Sequence, residues 1–259
     1  MKIWVINKKV GIIYSLIFVL IISLIYIGRN STMFVANPQK ELPIYCVDTN
    51  EKNISFSFDA AWGNEDTDKI LKIFDKYGLK TTFFVVGGWV EKYPDSVKSL
   101  FNAGHEVMNH SDTHPHMTDL SADSVKKEIE KCDEKIYKAT NIKPHLFRAP
   151  YGEYDDEVIR ASREIGYQAI QWDVDSLDWK DLSSKEIYDR VVSKVKPGSI
   201  VLFHNGAKHT AESLPSIIEK LQSDGYEIIP VSKLLFKENF TIDNAGKQKL
   251  ENVNEKTKK

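Results

Sequence analysis

Two histidines four residues apart, His110 and His114 in the run His-Ser-Asp-Thr-His, are the first residues of this sequence whose types and spacing suit chemistry. On a helical turn that spacing points both imidazoles the same way, where they can hold one cation. Five further positions carry reactive or charged groups: Asp59 ends Ser57-Phe58-Asp59, Arg148 opens Arg-Ala-Pro-Tyr, Asp173 and Asp175 follow Trp172, and His204 stands in Leu-Phe-His-Asn. Singly, each has an ordinary structural reading. Asp59 suits a helix cap or turn, Arg148 a surface ion pair, and His204 a satisfied histidine at a strand end.

Their placement along the chain argues for more. Short apolar runs at 54–58, 81–86, 106–108, 145–147, 167–172, 199–203 and 226–229 read as strands. Between them, amphipathic runs at 66–77, 94–103, 122–139, 155–165, 184–195 and 211–223 read as helices, several stopped by Gly78, Gly104, Gly166 and Gly225. About seven strands alternating with helices predict an α/β fold with a parallel sheet, either a (β/α) barrel or a doubly wound open sheet. The count favours a distorted, incomplete barrel. In that frame Asp59, the two histidines, Arg148, the two aspartates and His204 all fall at carboxyl ends of strands, the face on which sites of parallel α/β folds assemble.

The chain has 259 residues, a formal charge of -2 and 28% charged residues, enough for one sizeable domain and without the basic excess that nucleic-acid binding needs. Cys46 and Cys132 are too few for a disulfide framework and lack zinc-thiolate spacing. Val10 to Ile27 is uncharged and apolar; as a helix it would be roughly 27 Å long, near the thickness of a bilayer core. Lys2, Lys8 and Lys9 precede it, which predicts an amino terminus in the cytoplasm and the remainder outside the cell membrane. A cleaved signal peptide is the rival, with a poor small-residue cleavage pattern after the run. The expected organisation is a cytoplasmic stub (1–9), a single transmembrane anchor (10–27), a linker (28–50), one catalytic domain (51–236) and a disordered polar tail (237–259).

Ser57-Phe58-Asp59, His110-Ser-Asp-Thr-His114, Arg148-Ala-Pro-Tyr151, Asp175-Ser-Leu-Asp178-Trp179 and Leu202-Phe-His204 follow one another from about Lys52 to Leu235. In order and approximate spacing they resemble the five motifs of the polysaccharide deacetylases, the NodB-homology or carbohydrate esterase family 4 proteins. The Phe-Asp-Ala-Ala-Trp-Gly stretch, with the anchor, looks most like the sporulation-associated, peptidoglycan deacetylase-like branch. The resemblance implies hydrolysis of N-acetyl groups on amino sugars of cell-wall glycan, with a divalent metal, zinc being the expected ion, held by His110 and His114. It implies Asp59 as general base, Arg148 holding it ionised, His204 as general acid and Asp178 tuning that acid. It further implies the Tyr151 backbone amide facing the oxyanion, with Trp179 and Leu202 walling the acetyl pocket. One departure stands out. The family's first motif has two consecutive aspartates, the second a metal ligand, and here that position is Ala60. Two neutral imidazoles bind zinc less firmly than two plus a carboxylate. Three outcomes stay open: Asp59 ligates and another group is the base, Glu65 or Asp66 substitutes, or catalysis is lost and a glycan-binding or scaffolding domain remains.

Overall fold

The computed structural model describes residues 8–30 and 40–251. They belong to two compact units, Met1–Gln39 and Lys40–Lys259. In the first, Lys8–Asn30 is one helix of 23 residues that exposes Ile12, Leu16, Phe18 and Leu20. Among the described residues no helix is long and apolar enough to cross a membrane. Most of the expected cytoplasmic stub, much of the linker and the last residues of the tail lie outside the described residues.

The second unit holds β1 (Cys46–Val47), β2 (Asn53–Ala60), β3 (Thr82–Val85), β4 (Glu106–Asn109), β5 (Leu146–Phe147), β6 (Gln168–Ala169), β7 (Val174–Asp175), β8 (Ile200–His204), β9 (Glu227–Ile228), β10 (Phe240–Ile242) and β11 (Lys247–Leu250). Seven of them form a parallel sheet in the order β6-β5-β4-β3-β2-β8-β7, and β9 pairs with the start of β2. Helices Thr67–Lys76, Pro94–Asn102, Ala122–Thr140, Asp156–Glu164, Ser184–Val192 and Thr210–Ser223 connect the strands. This is the incomplete (β/α) barrel. The stretch before β2 crosses its open side, with Ile44 bridging Ile170 and Cys46 bridging Ser199.

Strand β2 shows why the sheet sits as it does. Ile54, Phe56, Phe58 and Ala60 alternate onto the face covered by helices, where Ile70, Phe74, Leu214 and Ile217 meet them. Phe58 stacks between Phe83 and Phe203 at ring distances of 4.9 and 5.3 Å; each such pair adds about 0.5–1.5 kcal/mol to the burial itself. Ser57 and Asp59 alternate onto the other face, where both bond to Arg148. That phase leaves a carboxylate on the pocket side at the end of the strand.

Three expectations are corrected. In the described part of the tail expected to be disordered, Phe240–Ile242 and Lys247–Leu250 instead form the β10–β11 hairpin, with β11 parallel to β1. Its only buried side chain, Gln248, donates Nε2–H to the Phe236 carbonyl and accepts the Phe236 N–H, each at 2.9 Å. Backbone pairing, this amide, the half-buried Ile242 and the ion pairs of Lys247 with Asp48 and Lys249 with Asp243 hold it, and its three-residue apolar alternation, Phe240-Thr241-Ile242, is too short to announce a strand. The linker likewise ends earlier than residue 50, because Ile44, Cys46 and Val47 are buried in the barrel. Finally, His110 and His114 are not on a helical turn: they lie in a loop after β4 where Ser111 and His114 take left-handed conformations, φ 66° and 59°.

Candidate active site

A pocket of about 390 Å³ opens at the carboxyl ends of β2, β4, β7 and β8. Asp59, His110, His114, Tyr151, Trp179, Leu202 and His204 all line it, while Arg148 and Asp178 lie fully buried behind its wall. The nine residues to which the family resemblance gives a role therefore meet at one place, and Asp175 joins them in the lining.

Asp59 is next to last in β2. Its Oδ1 accepts from Arg148 Nη1 at 2.7 Å, and its Oδ2 lies 3.5 Å from His110 Nε2. Arg148 donates Nη2–H to Ser57 Oγ (2.9 Å) and to the Gln171 carbonyl (3.1 Å), with its guanidinium 4.2 Å from the Phe84 ring centre and 5.4 Å from that of Trp172. Burial alone would raise the Asp59 pKa. The charges of Arg148, His110 and His204 outweigh it and hold the carboxyl below its ordinary range.

His110 Nδ1 is 2.7 Å from the Arg148 carbonyl, which can only accept, so Nδ1 carries the proton and Nε2 turns its lone pair to the pocket. His114 is placed by its backbone N–H donating to Ser111 Oγ at 3.0 Å, and its ring lies 5.1 Å from His110 and 4.5 Å from Tyr151. Burial lowers both histidines, His114 to about 4 with the His110 charge adding to the effect, so both are neutral donors near pH 7. Among the described residues no three His, Cys, Asp or Glu side chains are grouped to hold a metal ion. Ala60 is fully buried in the apolar layer and does not line the pocket. Neither substitute carboxylate takes its place. Glu65 borders an adjoining depression, and Asp66 turns inward to accept the Gly206 N–H at 2.8 Å.

On the opposite wall, Asp178 Oδ1 pairs with His204 Nδ1 at 2.8 Å and accepts the Trp179 N–H at 2.9 Å. Its Oδ2 accepts the His204 N–H at 2.8 Å and the Thr210 hydroxyl at 2.6 Å. Burial would lower the His204 pKa, but the hydrogen bond and charge of Asp178, then the charges of Asp59 and Asp175, raise it above the ordinary value. The imidazole is thus held as a proton donor, with Nε2 left for the pocket.

Some participants were not legible. Ser57 and Thr210 are buried hydroxyls that bond the charged groups, and only the two-residue phase of Ser57 with Asp59 signals it. Trp172 covers Arg148, and Trp62 stacks on His204 with rings 5.7 Å apart and 13° from parallel. Asp173, read together with Asp175, does not join the pocket; it accepts from Ser199 Oγ and the Ile200 N–H at the opposite end of β8.

A buried carboxylate–arginine pair, a facing histidine pair and an aspartate-bound histidine at the rim of an incomplete barrel define a hydrolase site of the deacetylase type. The polysaccharide deacetylase family model matches residues 47–170, and the chain belongs to that family. It is 32% identical over 202 residues to the peptidoglycan-N-acetylmuramic acid deacetylase PdaA of Bacillus subtilis, covering 76% of this chain and 77% of that one. The solved structure of PdaA aligns with a TM-score of 0.71 at 32% identity, covering 74% of this chain and 84% of that one. A CE4 family pseudoenzyme from Bacillus anthracis aligns with a TM-score of 0.73 at 37% identity, covering 76% of this chain and 70% of that one. A mutant of that protein is described as having restored enzymatic activity.

Proposed function

We propose that this protein hydrolyses N-acetyl groups from amino sugars of cell-wall glycan of the peptidoglycan type. The observation that carries the reading is the His204–Asp178 pair: a fully buried carboxylate directs both oxygens at one histidine whose other nitrogen faces the pocket. Binding a neutral sugar does not need such a pair, whereas expelling an amine does.

The residues suit a division of labour. Asp59, kept ionised beside Arg148, takes the proton of the attacking water, and His204 Nε2 gives its proton to the amine nitrogen as the C–N bond breaks. The Tyr151 backbone N–H would face the developing oxyanion, and Trp179 and Leu202 would enclose the acetyl methyl. His110 and His114 would hold a divalent metal, zinc being the expected ion. Two neutral lone pairs beside Asp59 fit an open, weakly held site. When bound, such an ion would polarise the acetyl carbonyl and lower the pKa of water. We further propose that the helix Lys8–Asn30 anchors the domain to the outer face of the cell membrane, supported by its apolar exposure and by Lys2, Lys8 and Lys9 ahead of its apolar run, and that the protein acts in sporulation, supported by its Phe-Asp-Ala-Ala-Trp-Gly stretch. A reporter joined after residue 251 would be active in export assays; cytoplasmic activity would overturn the topology.

Ala60 and the likeness to a pseudoenzyme favour a second reading, a glycan-binding domain without turnover. Acetate release by the purified protein from N-acetylated peptidoglycan fragments, with zinc or chelator, separates the two. Acetate released with zinc supports the enzyme; glycan binding without acetate under every metal supports the second reading.

A further inference from the structure

His204 has one restraint that its hydrogen bonds do not supply. Bonding Nδ1 to Asp178 fixes one atom of the imidazole, while the ring can still pivot about that bond and swing Nε2 out of line. Trp62 stacks on the ring, 5.7 Å between centres and 13° from parallel, and blocks that pivot. A tryptophan half exposed at 49% would not ordinarily keep so flat a contact. Its loop is tied down instead. The carbonyl of Gly63 accepts from Trp89 Nε1 at 2.9 Å and from Asn205 Nδ2 at 2.6 Å. Asn205 directly follows His204, so the clamp joins the Trp62 loop to the strand end that carries the histidine. Gly206, at φ +74°, completes it: a Cβ there would stand 3.2 Å from Trp62 Cδ1.

We propose that Trp62 is a positioning residue for proton donation, holding the His204 ring so that Nε2 points at the leaving nitrogen. This rests on the deacetylase reading. The step it serves is balanced within the site: as the C–N bond of the tetrahedral intermediate breaks, its electron pair goes to nitrogen, nitrogen takes the proton from His204 Nε2, and the imidazole is left neutral. An exposed tryptophan at a glycan site has an alternative task, as a flat platform for a sugar ring, and the two tasks leave different kinetic signatures. Loss of a platform raises KM. Loss of a positioned acid lowers kcat, and only for leaving groups that need a proton.

The test compares wild type, Trp62→Leu, Trp62→Phe and Asn205→Ala on an N-acetylglucosamine oligomer and on 4-nitrophenyl acetate, whose leaving group departs without an acid. For Trp62→Leu we expect kcat on the oligomer to fall by about tenfold or more, with KM and aryl acetate hydrolysis changed by less than about threefold. Trp62→Phe should recover most of the loss, and Asn205→Ala, which loosens the clamp and leaves Trp62 in place, should show the same pattern more weakly. A change confined to KM, or equal losses on both substrates, overturns the proposal. A second readout needs no turnover: the downfield proton of His204 Nδ1 in NMR, expected to exchange slowly in wild type and in Trp62→Phe and severalfold faster in Trp62→Leu. Exchange unchanged in Trp62→Leu overturns the proposal even if wild type releases no acetate, whereas absent acetate with the expected exchange pattern overturns only the deacetylase reading.

Discussion

The two walls of the pocket are built to different standards. On one, Asp178 receives four donors, and His204 is held through a ring nitrogen, a backbone N–H and a stacked indole. On the other, His110 is fixed by one carbonyl and His114 by its own backbone N–H and edge-on rings, with no carboxylate at residue 60, which is buried in the apolar layer. Proton transfer depends on angles and on sub-ångström distances, so its groups need several restraints. A cation draws its own donors inward and tolerates a looser setting, at the expense of affinity. The difference teaches that this chain keeps the geometry-sensitive part of the machinery and relaxes the charge-sensitive part.

The comparison breaks most directly at His204. Replacing His204 by Ala should lower kcat on an N-acetylated glycan by about a hundredfold or more, with a smaller change in KM. Steady-state kinetics check this, and an unchanged kcat would leave the better-built wall without a purpose.

Ala60→Asp sharpens the other side. The residue is fully buried among apolar side chains, so a carboxylate there has no water and gains a partner only from a cation. Without metal the substitution should destabilise by about 1–3 kcal/mol or more, lowering Tm by several degrees, and zinc should restore more Tm in the variant than in wild type. Calorimetry with zinc and with chelator measures both. If zinc gives the variant no extra stabilisation, the new carboxylate does not reach the histidines.

A smaller effect is expected at Asp178. Asp178→Asn keeps the shape and removes the charge that raises the His204 pKa. A general acid works while protonated, so activity falls as pH rises through its pKa. Lowering that pKa moves the alkaline limb of the rate profile to lower pH. A limb that stays in place would assign it to another group.

Strands β2, β4, β5 and β8 were legible because each is a short apolar run with a polar residue at or just past its end, and the phase of β2 already put Ser57 and Asp59 on one face. Strand β7 was not, since the run read as one strand over 167–172 is β6 at one edge of the sheet and the two-residue β7 lies at the other. The histidine pair was legible as a pair but not in conformation. The loop relies on left-handed Ser111 and His114, which no periodicity announces. The β10–β11 hairpin and the barrel-crossing stretch near Ile44 were hidden because pairing with distant strands, not local pattern, stabilises them. Trp62 was visible only as part of a motif. Its contact with His204 arises from tertiary bonds to Gly63 made by residues 26 and 142 positions away.

Acetate release from N-acetylated peptidoglycan, followed across a zinc titration for wild type, Ala60→Asp and His204→Ala, tests the central claim that the proton-transfer wall is functional and the cation site merely weak. Wild type should release acetate only toward high zinc, Ala60→Asp at lower zinc, and His204→Ala hardly at any concentration. Acetate from Ala60→Asp with none from wild type at any zinc concentration would contradict the claim, and would make the well-built wall the remnant of an activity this chain has lost.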